Sequence, residues 1–178
     1  GHIELPEITP ILGSKEQYFY RNKMEFSFSD SRWLTVEEIA STDDLGDRNA
    51  LGFHIPGMWD KILDVKKCWL QGDPSNAVRN AVKDFALEHQ IPFFNTRQQT
   101  GVLRTLMIRN TSIGELMIVV QFFKEDSENR IALLDHLKTS FPEITSLQYI
   151  INGKANDTIY DQDVICYHGR DHIFEEME

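Results

Sequence analysis

The chain has 178 residues, 41% hydrophobic and 26% charged, proportions that fit one globular domain and exclude a disordered tail or a fibrous protein. Its formal net charge of −10 excludes broad, nonspecific attraction to nucleic acid, which depends on Lys and Arg neutralising phosphates, and leaves room only for a local basic patch. The longest apolar run, Leu116 to Phe123 with Gln121 inside it, falls far short of the roughly 20 residues of a membrane span.

Taken in chain order, Tyr18 to Ser29 places Met24, Phe26 and Phe28 on one side and Lys23, Glu25 and Ser27 on the other, the period-two pattern of a half-buried strand. The acidic, small-residue stretch Ser41 to Asp47 is expected as a loop feeding a second strand at Leu51 to Ile55. Asp73-Pro74 fits an N-cap and first helical residue, and Ala77, Val78, Ala81, Val82, Phe85 and Ala86 recur at helical spacing until Pro92. Val102–Arg109 and Glu115–Phe123 flank Asn110 to Gly114, which predicts an antiparallel hairpin. A second helix is expected from Asp126 or Ser127 to Pro142, with Ile131, Leu134 and Leu137 as its buried stripe. Leu147, Tyr149 and Ile151 alternate as a strand, and Val164–Tyr167 with His172–Phe174 reads as a last hairpin around Gly169. This order predicts an α+β fold, an antiparallel sheet with helices packed on one face and the other face available.

Several chemistries lack their signatures. No two of the ten glycines are separated by a single residue, so the dinucleotide fingerprint is absent, as are a phosphate loop, a Gly-x-Ser-x-Gly elbow and a His-Glu-x-x-His helix. Cys166, His168 and His172 offer three metal donors without an identifiable fourth, and Cys68 by itself reads as a buried free thiol. Two cysteines fit a reducing cytosol, and Gly1 to Glu4 lack the basic-then-apolar start of a secretory signal, so a cytoplasmic location is expected. Arg21 and Lys23 precede the first strand, and Arg97, Arg104 and Arg109 surround the later hairpin; these are either solvated charges or contacts for phosphates and bases.

Four segments carry a resemblance. Tyr20-Arg21-Asn22-Lys23-Met24-Glu25-Phe26-Ser27-Phe28 resembles the opening of the central domain of bacterial RNA uracil-5-methyltransferases, which make 5-methyluridine in ribosomal or transfer RNA. Leu51-Gly52-Phe53-His54 followed by Asp64-Val65-x-x-Cys68-x-Leu70 is similar to that family's next landmark, and Gly101-Val102-Leu103-Arg104 with Met107-Ile108-Arg109 and Leu116-Met117 to a third. Ile150-Ile151-Asn152 through Ile173-Phe174-Glu175 resembles the stretch before the methyltransferase domain, so the likeness runs from about Tyr18 to the end.

The resemblance implies that residues 1–178 are a single central domain concerned with RNA recognition and associated with an iron–sulfur cluster. The family's N-terminal β-barrel and C-terminal S-adenosylmethionine domain are then outside this chain, and the chain alone is expected to be inactive. It also implies that Cys68 matches the fourth ligand of a 4Fe-4S cluster in the parent enzyme, not expected intact here because such clusters take four thiolates. S-adenosylmethionine would be bound by the domain that is not here. Arg21, Lys23 and Arg104 are the candidates for RNA contact, the RNA being ribosomal in preference to transfer RNA. The alternative is a stand-alone RNA- or protein-binding adaptor.

Overall fold

The computed structural model describes residues 3, 6–41 and 44–177, so the sequence readings on Gly1, His2, Glu4, Thr42 and Asp43 lie outside the described residues. Strand β1 (Lys23–Ser29) has the expected alternation: Met24, Phe26 and Phe28 are buried while Lys23 and Glu25 are exposed. A short helix α1 (Val36–Ala40) follows. It is started by a capping box, the Thr35 hydroxyl accepting from the Glu38 N–H and the Glu38 carboxylate from the Thr35 N–H. Strands β2 (Ala50–Ile55) and β3 (Met58–Asp64) form a hairpin through Pro56-Gly57, where Gly57 takes φ +78°. The sequence reading missed β3.

Helix α2 (Ser75–Glu88) starts later than expected. Pro74 stands at the N-cap with no side-chain cap; Asp73 is exposed, and the buried Ser75 hydroxyl donates to Gln71 Oε1 at 2.6 Å instead. Strands β4 (Leu103–Asn110) and β5 (Leu116–Phe122) form the expected hairpin. Before β4, a Cβ on Gly101 would lie 2.3 Å from the Phe93 carbonyl oxygen and its φ is +108°, so the close approach of these two backbones requires glycine. Helix α3 (Ser127–Ser140) begins at Asp126, whose carboxylate accepts from the Asn129 N–H. Leu134 and Leu137 are buried as expected; Leu133 joins them in place of Ile131, which is 44% exposed. Strand β6 (Ile144–Ile151) and strand β7 (Ile165–Gly169) complete the chain, and β7 pairs back onto β6 rather than with His172–Phe174.

The seven strands form one sheet in the order β3-β2-β1-β4-β5-β6-β7. Every neighbouring pair is antiparallel except β5–β6. That pair is parallel because α3 carries the chain back to the same end of the sheet, a crossover that a hairpin cannot make. The sheet is therefore mostly antiparallel, a correction to the all-antiparallel expectation. Met24, Phe26, Leu106, Ile108, Ile118 and Val120 stand opposite one another in register. They share one buried cluster with Val78, Val82 and Ala86 of α2 and Leu133, Leu134 and Leu137 of α3. Phe85 of α2 stacks on His136 of α3 at 4.6 Å between ring centroids, tying the two helices together.

A buried arginine belongs to this core. Arg79 on α2 is 1% exposed, lies 5.0 Å over the Phe26 ring, and donates from Nε to the Val65 carbonyl and from Nη2 to the Lys66 carbonyl. The loop between β3 and α2 has carbonyls that no ladder can satisfy, and the guanidinium is the donor that lets the loop pack inward. Among the described residues, no helix is long and apolar enough to cross a membrane.

Candidate nucleic-acid interface

Residues one position out of phase with the core define the opposite side of the sheet. Lys23, Glu25 and Ser27 of β1 stand across from Arg109, Met107 and Thr105 of β4, and Met107 and Arg109 stand across from Val119 and Met117 of β5. Lys23, Glu25, Met107, Met117, Gln148 and Tyr160 line a groove of about 460 Å³ on this side. Two methionines give it an adaptable apolar floor, and a cation and a carboxylate stand at its rim. Lys23 Nζ lies 2.6 Å from Glu25 Oε1. Such an exposed pair is worth about 0–1 kcal/mol, so Lys23 can exchange its partner for another anion at little cost.

The segment after β6 forms the wall of the groove, and Arg104 holds it. Arg104 is 5% exposed. Its Nη1 donates to the carbonyls of Asn152 (2.8 Å) and Lys154 (2.7 Å), its Nη2 to that of Ala155 (3.4 Å), and its guanidinium lies 4.9 Å from the Phe94 ring centroid. Burial pulls the Arg104 guanidinium below its ordinary value, opposed by the nearby Asp157 carboxylate. Asn152, fully buried, continues the device: its side-chain amide donates to the Thr158 carbonyl at 3.2 Å and accepts from the Lys154 N–H at 3.1 Å. Asp157 thereby faces both the groove and a smaller cavity of about 170 Å³ lined by Ser27, His54 and Thr105.

The three basic candidates are thus not equivalent. Arg21 is exposed, fixed through its backbone N–H to the Leu70 carbonyl at 2.8 Å, and Lys23 stands two residues further on at the groove. Arg104 is separated from them; its donors face backbone carbonyls, and it bears on the groove only through the segment it holds. Sequence reasoning missed Met107, Met117 and the 99% exposed Tyr160 as groove residues. An aromatic inside the polar run Asn156–Asp163 was the available signal for Tyr160.

Cys68 is 4% exposed and packs in the core cluster. Its backbone is clamped by Asn76, which accepts from the Cys68 N–H at 2.7 Å and donates to the Cys68 carbonyl at 3.0 Å. Burial lowers the Arg79 pKa from its ordinary value, opposed by the nearby Asp64 carboxylate. Cys166 is exposed on β7 and equally free, and the described residues hold no group of three or more potential metal ligands. The chain supplies one buried thiol, so the donors described do not make up a four-iron cluster.

No family model matches the chain. An uncharacterized RNA methyltransferase of Bacteroides thetaiotaomicron is 56% identical over 181 residues, covering 100% of this chain and 40% of the relative. One from Porphyromonas gingivalis is 51% identical over 185 residues, covering 100% of this chain and 39% of the relative. The fold is that of part of a solved enzyme. The crystal structure of Pyrococcus abyssi tRNA (uracil-54, C5)-methyltransferase in complex with S-adenosyl-L-homocysteine superposes with a TM-score of 0.64 at 22% identity, over 92% of this chain and 34% of that one. The chain is thus closely similar to part of proteins named RNA methyltransferases, in keeping with the resemblance its sequence carries. It spans about two fifths of the length of these curated relatives.

Proposed function

We propose that this chain is the RNA-holding central part of a cytoplasmic, S-adenosylmethionine-dependent RNA uracil-5-methyltransferase that forms 5-methyluridine in ribosomal RNA. In this reading the two long helices lie on one face of the sheet and the opposite face turns toward RNA. The observation that carries it is the groove with an apolar methionine floor, Tyr160 as a wall and Lys23 at the rim. Flat bases and charged phosphates are the ligands such a surface suits. Extracting a uridine from its stack costs a few kcal/mol, which contacts outside the catalytic pocket help to offset. Lys23 and Arg21 would meet phosphates, while Arg104 would act indirectly by fixing the wall segment. Cys68 would be one ligand of a 4Fe-4S cluster whose other thiolates come from outside this chain, and S-adenosylmethionine would bind outside it as well.

The test is methylation of unmodified ribosomal and transfer RNA with labelled S-adenosylmethionine, by this chain and by a longer protein containing it, reading 5-methyluridine. Product is expected from the longer protein on ribosomal RNA only, reduced about tenfold by Lys23→Glu, and none from this chain alone. Product confined to transfer RNA would change the substrate. Product on neither would overturn the methyltransferase reading in favour of an adaptor.

A further inference from the structure

A second surface displays aromatic rings to solvent. Tyr18, Phe19 and Trp69 are 59%, 46% and 49% exposed, and their ring centroids gather within 5.5 Å (Tyr18–Trp69) and 5.8 Å (Phe19–Trp69). The gathering is built by backbone pairing: the Phe19 N–H donates to the Trp69 carbonyl and the Arg21 N–H to the Leu70 carbonyl, each at 2.8 Å. Phe19 takes φ +58°, a left-handed conformation that bulky residues rarely adopt and that persists only where the surroundings over-determine it. Apolar area of this kind would ordinarily be buried, and a contiguous exposed patch marks an interaction site.

The charges beside the rings indicate its partner. Lys67 Nζ lies 3.9 Å from the Trp69 ring centroid, and Arg21 follows the aromatic run directly. Neither makes a salt bridge among the described residues, in a chain whose net charge of −10 offers many carboxylates. Rings able to stack, interleaved with cations left free of carboxylates, are the chemistry that binds unpaired nucleotides: bases on the rings, phosphates on the cations.

We propose that Tyr18, Phe19 and Trp69 form a stacking platform for unpaired RNA bases, with Lys67 and Arg21 holding the adjoining phosphates. This rests on the reading of the chain as RNA-binding and extends it to a second surface. The two surfaces join along Tyr20-Arg21-Asn22-Lys23, so a strand leaving the groove reaches the platform within a few residues of protein chain.

Fluorescence anisotropy at low salt, with labelled oligouridine and with a duplex RNA of the same length, tests it on this chain and on Trp69→Ala, Tyr18→Ala, Trp69→Phe and Lys23→Glu, each checked by thermal melting for an intact fold. The unpaired RNA is expected to bind in preference to the duplex; Trp69→Ala and Tyr18→Ala each weaken it about tenfold, and Trp69→Phe nearly restores it. Weakening by Lys23→Glu with no effect of either alanine variant would overturn the platform and leave the groove reading standing. Weakening by the alanine variants alone would uphold the platform and remove Lys23 from the RNA contact. No binding by the unaltered chain, or binding untouched by every variant, would overturn both.

Discussion

The two sides of the sheet come from the same strands, one residue apart, and they have different physical jobs. Phe26 and Leu106 point into a cluster where they are 0% exposed; their neighbours Glu25 and Met107 stand on the groove side, exposed and half-buried respectively. Burial on the first side sets stability, because removing a buried ring loses its transfer free energy and leaves a cavity. On the second side Glu25 and Met107 lie outside the buried cluster, so changes at these two should be felt by a ligand and scarcely by the fold.

Phe26→Ala should show the contrast most strongly, lowering stability in urea unfolding by about 3–5 kcal/mol, since the ring contacts Phe53 and underlies Arg79. Arg104→Ala blurs the division, because Arg104 is buried yet serves the groove. It strips three carbonyls of their donor and should cost about 2–4 kcal/mol, with Arg104→Lys recovering only part because an ammonium cannot reproduce the planar fork. Asp126→Ala removes the α3 cap and should cost about 1 kcal/mol by the same measurement. Met107→Ala on the groove side should fall within about 0.5 kcal/mol of the unaltered chain, in keeping with a site outside the core cluster.

A pH effect locates the tail after β7. The Phe174 N–H and then the Arg170 guanidinium hold the Glu115 carboxyl below its usual range. Because the folded pKa is depressed, this tether is fully present above the unfolded value of about 4.3 and is lost as pH falls through the lower folded value. The exchange protection of the Phe174 amide should fall over that acidic window and be low at neutral pH in Glu115→Gln. Unchanged protection would show that the carboxylate does not hold the tail.

Local pattern made much of the sheet legible. The alternation in β1, the glycine-containing turn between β4 and β5 and the Asp126 cap are each set by residues within a few positions of one another. Strand β3 was missed although Pro56-Gly57 is a turn signal, because Met58-Trp59-Asp60-Lys61-Ile62 does not alternate cleanly. In α3 the local spacing marks Leu134 and Leu137 correctly and misplaces only Ile131, whose place in the buried stripe is taken by Leu133. The sequence does not single out Arg79 at all and singles out Arg104 only as a solvated charge or a contact for RNA. Their partners are carbonyls 13–14 and 48–51 residues distant in sequence, and only the fold brings them together. Lys23 was legible as a groove cation because strand alternation alone put it opposite the core.

The most direct test of the proposed RNA-binding groove is methyl NMR of this chain titrated at low salt with a short uridine-rich single-stranded RNA. The Met107 and Met117 methyls are expected to shift while the buried Leu106 and Ile118 methyls of the same strands stay in place. Absence of shifts at both methionines, or shifts confined to the buried cluster, would contradict it.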